Sequence, residues 1–321
     1  GIDSPRPASQ RAAAFILTAA MLTTLAAPAF AGTWYIENGD ITVKASGTEG
    51  KNTVSQGNKK DVEDTNTIIT NQNKDKASSN TVTIDAGNDK VEVTLKDVNI
   101  DTSSRNEAAM SVTGSGNTTI KLDGDNHLTG GNGIYSNSSG SLTISGGETD
   151  SLTAQGGDSR NGIYSVSGDV TISGGTVTAT GGNSTGSYGS GGTVTATGGG
   201  STGSNGLGGR GICSDSGGVT ISGGTVKATG GNGSDGGSGI SSSSGVTVSD
   251  GTVTANGGNG GNVSGDGIRS DGGVTISGGT VKAAGGDSKD GYGGDGIRSF
   301  DRVAISGGTV EAAGGSSGSS N

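Results

Sequence analysis

The chain has 321 residues, of which 69 are glycine, 27% are apolar and 3% are aromatic, and its formal net charge is -10. So little apolar material is typical of disordered chains, unless a repeat lets short segments pack on one another. The acidic balance argues against nucleic acid as a partner, because phosphate binding needs clustered lysine and arginine. The single cysteine excludes an intramolecular disulfide framework.

Residues 1–31 predict a secretory signal peptide. Arg6 and Arg11 precede the apolar run AAAFILTAAMLTTLAAPAFA, which is short for a bilayer span and ends in the small-x-small site AFA at 29–31. A membrane anchor is the alternative. No second apolar stretch follows, so we expect a secreted or bacterial cell-surface protein with no membrane span after signal removal.

Residues 32–79 predict an N-terminal cap and an irregular segment. The stretch TWYIENGDITVKAS carries the only tryptophan, Trp34, and suits a cap over the first open coil of a solenoid. Residues 47–79 are rich in asparagine, lysine and serine, and we expect only NTIITN to form a strand there.

A repeat occupies residues 80–315. Its clearest units begin with a Gly-Ile pair and contain three alternating segments of the type GIxS, VTIS and TVxA, with Gly-Gly pairs at the corners. Three short strands per unit in tandem predict an all-β parallel solenoid, in which each strand pairs with its counterpart one coil away, at about 4.8 Å. The pairs begin at Gly133, Gly162, Gly211, Gly239, Gly267 and Gly296, in steps of 28–29 residues with one step of 49.

The 49-residue step, the glycine-rich connectors and the ends of the chain lead to separate predictions. The 49-residue step contains a second copy of GGTVTATGG, which we interpret as a mobile excursion at 183–210 added to one coil. The glycine-rich connectors bury little, so they are expected to be mobile or held by something else. Residues 316–321 are expected to be a disordered tail, with both ends of the chain truncated.

Two columns of side chains follow from stacking the GIxS segments. The final serine points inward by alternation, so we expect a hydrogen-bonded ladder of buried hydroxyls. The x position points outward and holds Tyr135, Tyr164, Cys213, Ser241, Arg269 and Arg298. Exposed tyrosine can stack on a sugar ring, and arginine can pair with a uronate carboxylate, so Tyr135, Tyr164, Arg269 and Arg298 are the candidate ligand-binding residues. A solvated edge without a ligand is the alternative.

Carboxylates flank the last two GIxS segments. Asp266 and Asp271 bracket one, and Asp295 and Asp301 bracket the next. Stacked carboxylates repel one another unless a cation lies between them, and oxygen ligands suit calcium. These four residues are the candidate metal ligands, with calcium as the expected cofactor. The alternative is that these aspartates only add solubilising charge, or that they form ion pairs with Arg269 and Arg298.

The unit DGIRSDGGVTISGGTVKAAGG at 266–286 and the start GTWYIENG at 32–39 resemble bacterial carbohydrate-binding-domain-containing surface proteins with glycine-rich repeats. The resemblance covers about residues 90–315. It implies a right-handed parallel β-helix that binds plant-type polysaccharides with calcium. Family calcium sites use acidic residues flanking the GI strand, which the four aspartates match. The earlier units depart from this pattern, since Asn132, Asn161, Arg210 and Ser238 hold the preceding position.

The expected function is non-catalytic glycan binding at the cell surface or after secretion. The partner would be a polysaccharide, such as a plant cell-wall or uronate-containing polymer, bound with calcium. A surface stalk or adhesin without a sugar ligand is the alternative. The single histidine, His127, excludes most Ser-His-Asp and multi-histidine metal sites. A pectate-lyase-like reaction, with Arg269 or Arg298 as base and calcium as electrophile, is the third reading.

Overall fold

The computed structural model describes residues 32–48, 50–157, 160–180, 190–192 and 207–318. These residues wind into a parallel β-helix whose regular coils are 28 to 29 residues long, so that Ile240 pairs with Ile268 and Ile268 with Ile297. Helix is limited to two short 3-10 turns in this part of the chain, Ile36–Asn38 and Ser103–Arg105. No helix among the described residues is long and apolar enough to cross a membrane. The predicted all-β solenoid is confirmed.

The GIxS segments form one face, here called the GI sheet. Its parallel strands pair in the register that the repeat predicts, including Ile163 with Ile212 across the 49-residue step. In spatial order, the described strands are Lys59–Asp64, Asn52–Gln56, Ile41–Ala45, Val82–Asp85, Met110–Thr113, Ile134–Ser136, Ile163–Ser165, Ile212–Ser214, Ile240–Ser242, Ile268–Ser270 and Ile297–Ser299.

The VTIS and TVxA segments form the second and third faces. The VTIS face contains Thr33–Tyr35, Ile68–Thr70, Val91–Lys96, Thr118–Asp123, Leu142–Ser145, Val170–Ile172, Gly273–Ile276 and Val303–Ile305. The TVxA face contains Asn99–Asp101, Asp125–Gly130, Ser151–Gly156, Thr176–Thr180, Thr280–Ala284 and Thr309–Ala313. Two strands, Gly218–Thr229 and Gly245–Asn256, run around the corner and join both faces into one sheet. The three predicted strands per coil are therefore present in the regular repeats.

The core lies between the three faces. In the coil of residues 212–229, Val219, Ile221, Val226 and Ala228 are fully buried, and their equivalents stack above and below them. Alternation places every second residue inside, so each column of the core contains one residue type repeated through many coils. The last described coil has no coil on its far side, and its core-facing Ile305 is 54% exposed.

The N-terminal segment departs from the expected boundary at residue 80. Thr33–Tyr35 pairs in parallel with Ile68–Thr70, and Ile41–Ala45 pairs in parallel with Val82–Asp85, so the solenoid already includes these residues. The segment between them is a hairpin whose strand Asn52–Gln56 runs antiparallel to Ile41–Ala45. This hairpin occupies the place of a preceding coil and covers the first edge of the GI sheet.

The predicted cap residue Trp34 lies instead in the first parallel strand of the solenoid, Thr33–Tyr35, and bonds to the hairpin. The indole is only 3% exposed, and its Nε1 donates a hydrogen bond of 2.7 Å to the fully buried carboxylate of Asp64. The other oxygen of Asp64 accepts hydrogen bonds from the backbone N–H groups of Gly32 and Asn66. The aspartate therefore ties the first strand to the end of the hairpin.

A third sheet, here called the glycine arm, was missed by sequence reasoning. Its described strands are Ser190–Gly192, Leu207–Gly209, Gly233–Asp235 and Gly260–Val263, and an isolated bridge continues the pairing from Val263 to Tyr292. The first two strands lie within the predicted excursion at 183–210, whose other residues lie largely outside the described ranges. Within this segment, the described residues Ser190–Gly192 and Leu207–Gly209 thus pair with each other in parallel.

The glycine-rich connectors are held by their own backbones. Gly237 N–H donates to Gly231 O, Gly258 N–H donates to Gly237 O, and Gly265 N–H donates to Gly258 O, each at 2.8 Å. The same zigzag continues into the following coils. A Cβ atom placed on Gly237 would lie 1.8 Å from the carbonyl oxygen of Gly209. Glycine is required here because two layers of backbone touch directly.

Candidate groove along the GI sheet

The outward column of the GIxS strands runs along the floor and wall of a groove. The strands place Tyr135 beside Tyr164 and Arg269 beside Arg298 in direct register. The main hollow has a volume of about 760 Å³, and a hollow of about 480 Å³ adjoins it, since Tyr164, Asn132 and Arg160 line both.

The main hollow lies between the GI sheet and the glycine arm. Tyr164, Arg269 and Arg298 lie on the GI-sheet wall, and Tyr135 lies in the neighbouring hollow. All four predicted ligand-binding residues therefore line these two adjoining hollows. Further lining residues include Arg160, Asn161, Leu207, Arg210, Asp215, Asp235, Ser238, Val263 and Asp266.

Two members of the predicted outward column are buried instead. Cys213 is 1% exposed and Ser241 is 8% exposed. Arg210 and Asp215 both contact the Cys213 sulfur, which covers the thiol. Ser241 stands between Cys213 and Arg269 in the column, and its short side chain does not reach past these neighbours.

The tyrosines form a fixed aromatic pair. The ring centroids of Tyr135 and Tyr164 lie 5.6 Å apart with an angle of 48° between the ring planes. The Tyr164 hydroxyl donates a hydrogen bond of 2.7 Å to Asp215 Oδ2. Burial and the neighbouring Asp215 carboxylate raise the pKa of the Tyr164 phenol. The ring is therefore held neutral and in one orientation at the centre of the groove.

A cluster around Cys213 lies beside this tyrosine. Arg210 Nη1 donates to Cys213 Sγ at 3.1 Å, and the sulfur donates to Asp215 Oδ1 at 3.2 Å. Arg210 and Asp215 also form an ion pair at 3.3 Å. Burial raises the pKa of the Cys213 thiol to about 12, so the sulfur stays protonated and unreactive at neutral pH. Sequence reasoning missed this cluster, although Arg210 is the only basic residue before a GI pair.

The two arginines at the C-terminal end pack on an aromatic ring. The guanidinium carbons of Arg269 and Arg298 lie 5.3 and 5.1 Å from the ring centroid of Phe300. Among the described residues, neither arginine forms an ion pair within 4.0 Å or donates a hydrogen bond. No ion pair within 4.0 Å joins either arginine to the four aspartates within the described residues. The charges of both arginines nevertheless partly offset the rise in the pKa of Asp266 that burial causes, so neutralisation by the arginines stays a prediction.

The four predicted metal ligands are not equivalent. Asp266 is only 4% exposed, and its Oδ1 accepts a hydrogen bond of 2.8 Å from the Asp295 backbone N–H. Burial raises the pKa of the Asp266 carboxyl. Asp271, Asp295 and Asp301 have exposed side chains. Within the described ranges, no three His, Cys, Asp or Glu side chains are grouped as a metal site would require. Calcium binding stays a prediction.

The residue before each GI pair has a structural role in several coils. Asn132 Oδ1 accepts from the Asn161 backbone N–H, and Asn161 Oδ1 accepts from the Arg210 backbone N–H, in the same way as Asp266 accepts from Asp295. Asparagine and aspartate are interchangeable in this bond, because each offers one side-chain oxygen to the next coil. The departure of the earlier units from an acidic pattern therefore leaves this ladder intact.

The serine that ends the GIxS strand is buried, as predicted, in every unit but the last, where Ser299 is half-buried. Ser136, Ser165, Ser214, Ser242 and Ser270 are each at most 3% exposed. The hydroxyls bond to backbone carbonyls of glycine rather than to one another: Ser214 Oγ donates to Gly168 O at 3.1 Å and Ser242 Oγ to Gly217 O at 2.8 Å. These two bonds, and that of Ser299 Oγ to Gly272 O, tie one coil to the turn of the previous coil. Ser165 and Ser270 instead donate to Gly168 O and Gly273 O in their own coils.

Comparison with known proteins supports the repeat. A family model described as a beta helix repeat matches residues 170–189, 219–244, 274–297 and 303–320. No curated protein and no solved structure matches the chain. The matched segments contain VTIS and TVxA strands that stack in the regular coils, including 170–172 on 219–221 and 274–276 on 303–305. By its repeat and by its stacked parallel strands, this chain is a parallel β-helix repeat protein.

Proposed function

We propose that this protein is a secreted or cell-surface, non-catalytic β-helix protein that binds an extended glycan in the groove along its GI sheet. The observation that carries the proposal is the placing of Tyr135, Tyr164, Arg269 and Arg298 along the two adjoining hollows of this groove. Side chains suited to sugar rings stand at one end, and cations suited to carboxylates stand at the other.

The spacing of these anchors favours a polymer over a single sugar. Tyr164 and Arg269 are separated by three coil steps, which amounts to about 14 Å at the usual distance between parallel strands. Arg269 and Arg298 follow one another at a single step of about 4.8 Å. A ligand that uses both ends must therefore be an extended chain, with anionic groups toward the C-terminal end of the groove.

The unpaired arginines support an acidic glycan, such as a uronate-containing or plant cell-wall polysaccharide. Arg269 and Arg298 carry charge in the groove without a protein ion-pair partner among the described residues. Planar guanidinium groups match carboxylates with two parallel hydrogen bonds. A net charge of -10 would repel such a ligand at long range, so local cations at the groove are needed for binding.

Calcium dependence is proposed as a separate element. Asp266 lines the groove where the arginines lie, and Asp271, Asp295 and Asp301 flank the same two GIxS strands. Calcium takes about six to eight oxygen ligands, so backbone carbonyls, water or the carboxylate of the glycan would have to complete the shell.

The test is a glycan array followed by calorimetry on residues 32–321, with and without calcium. We expect uronate oligomers to bind, Tyr164→Ala to weaken acidic and neutral oligomers alike, and the Arg269→Ala, Arg298→Ala double variant to weaken only the acidic ones. Tyr35→Ala and Arg302→Ala are matched controls away from the groove lining. Lack of binding to every glycan would support the stalk instead. Release of unsaturated sugars would contradict the non-catalytic proposal.

A further inference from the structure

Phe300 has no counterpart in the other coils. The residue that follows GIxS is Asn137, Val166, Asp215, Ser243 or Asp271 in the earlier units, and Phe300 in the last one. The ring lies on the surface and is 58% exposed, so core packing does not account for an aromatic residue there.

The ring instead contacts the two groove arginines. Both guanidinium carbons lie within the distance of about 6 Å at which a cation interacts with an aromatic ring. Arg269 and Arg298 occupy the same position in successive coils, where their like charges repel one another. One ring that attracts both cations offsets this repulsion and limits the orientations of both side chains.

The carboxylate of Asp266 does not take the place of the contact between the two arginines and Phe300. Asp266 is held below the groove surface, where its Oδ1 accepts the Asp295 N–H. Each guanidinium has five N–H donors, and within the described residues none of these donors is used. The pair is thus both oriented and free to bind an external oxyanion.

We propose that Phe300 is a positioning residue that holds Arg269 and Arg298 as one clamp for a single anionic group of the ligand. This inference rests on the proposed glycan-binding function and adds the residue that organises its anionic end. A carboxylate and a sulfate ester share the required chemistry, because each presents several oxygens to paired guanidinium groups.

The binding test compares Phe300→Leu, which keeps an apolar side chain, with Phe300→Trp, which keeps an aromatic face. The probes are a galacturonate oligomer, the same oligomer with its carboxylates reduced, and a sulfated oligosaccharide. We expect Phe300→Leu to weaken the galacturonate oligomer by about three- to thirtyfold and Phe300→Trp to retain binding. Binding of the reduced oligomer should not change. The sulfated probe shows whether the clamp prefers carboxylate.

The clamp also predicts non-additivity. In the Arg269→Ala, Arg298→Ala background, adding Phe300→Leu should cause no further loss of affinity, because the ring then has nothing to orient. An unchanged Kd in Phe300→Leu, or equal losses for the acidic and reduced oligomers, would overturn the inference. Thermal melting of each variant checks that the fold is kept.

A second readout needs no ligand. In nuclear magnetic resonance spectra, the side-chain NH and CH2 signals of Arg269 and Arg298 should show ring-current shifts that disappear in Phe300→Leu and persist in Phe300→Trp. If the wild type binds no anionic oligomer while these shifts are present, the proposed function fails and the positioning contact stands. If the shifts are absent in the wild type, the positioning inference itself is wrong.

Discussion

The side-chain oxygen of Asn161 accepts a hydrogen bond of 3.0 Å from the backbone N–H of Arg210, 49 residues further along the chain. The two residues are neighbours because the GIxS strands that follow them, Ile163–Ser165 and Ile212–Ser214, pair in register. Asn132 makes the same bond to Asn161 one coil earlier. In these coils the side chain before the GI pair therefore satisfies a backbone donor that would otherwise be left unpaired in a crowded layer.

Replacing Asn161 by alanine should remove this bond and destabilise the fold. The loss is expected to be about 1–2 kcal/mol, because the Arg210 N–H would remain in place without an acceptor. Asn137 is the matched control, since its side chain is exposed. Urea unfolding of Asn161→Ala and Asn137→Ala measures the difference, and equal stability would refute the ladder.

Asp266→Asn should melt no lower than the wild type at neutral pH. Asparagine can offer the same oxygen to the Asp295 N–H, as Asn132 and Asn161 do in their coils. Burial raises the pKa of Asp266 above its ordinary 3.8, so its stabilising contribution is present below that pH and is lost as the pH rises through the pKa of the folded state. Removing the charge therefore favours the fold at neutral pH and changes little in acid.

Calcium gives a distinct pattern in the same experiment. If calcium binds the four aspartates, it should raise the melting temperature of the wild type, EDTA should reverse the effect, and Asp266→Asn with Asp295→Asn should abolish it. Asp271→Asn alone tests the exposed side of the first pair. No calcium uptake in calorimetry and no effect of EDTA would contradict the proposed calcium site.

Thr118→Val should stabilise the protein. The Thr118 side chain is fully buried, its hydroxyl has no hydrogen-bond partner among the described residues, and it stacks between Val91 and Leu142 in the core. Removing a buried, unsatisfied hydroxyl should add about 1–2 kcal/mol to the free energy of unfolding. Thr119→Val, on the outer face of the same strand, is the control and should have little effect. Lower stability of Thr118→Val would show that the hydroxyl has a partner.

Gly237→Ala should disrupt the glycine arm. Its Cβ would lie 1.8 Å from a backbone oxygen of the neighbouring layer, and a backbone atom cannot move aside as a flexible side chain can. We expect a loss of more than about 2 kcal/mol. Gly261→Ala is the control, because the nearest atom to its Cβ would lie at 3.7 Å. Equal melting temperatures for the two variants would mean that the layers are not in direct contact.

Cys213 should resist alkylation in the folded protein. The pKa of about 12 leaves almost no thiolate at neutral pH, and the sulfur is covered by Arg210 and Asp215. Iodoacetamide should therefore label the cysteine only after unfolding. Because the pKa rises from 9.0, the stability that the neutral thiol provides is present below that pH and is lost as the pH approaches 12. Cys213→Ala should lose less stability over that interval, and rapid labelling of the native protein would contradict the burial.

The stacking of the coils could be predicted because its signal is carried by side chains. The positions of the GI pairs fixed which residues pair, including Ile163 with Ile212, since a parallel stack places equivalent residues beside one another. The buried serine column followed from alternation. The approach of Tyr164, Arg269 and Arg298 to one groove followed from their shared column.

The glycine arm could not be predicted in the same way. Strands such as Gly260–Val263 are half glycine, so alternation leaves little trace. Their pairing depends mainly on backbone hydrogen bonds, with one side-chain bond from Asn262 Nδ2 to Ser234 Oγ. The burial of Cys213 depends on Arg210 and Asp215, whose contact is not encoded in the repeat period. The N-terminal coil was assigned to a cap because its sequence does not match the repeat, although its strands stack in the same geometry.

The direct contact between glycine layers restricts how this protein can diverge. Where a Cβ atom would overlap the next layer, only glycine can be accommodated. Substitutions in the described part of the arm are therefore restricted to positions that carry side chains, such as the column of Leu207, Asp235, Val263 and Tyr292. Duplication of a repeat, by contrast, would lengthen the groove by one coil and add one new position to each wall. We therefore expect this protein to diverge by substitution at the few arm positions that carry side chains and by duplication of whole repeats.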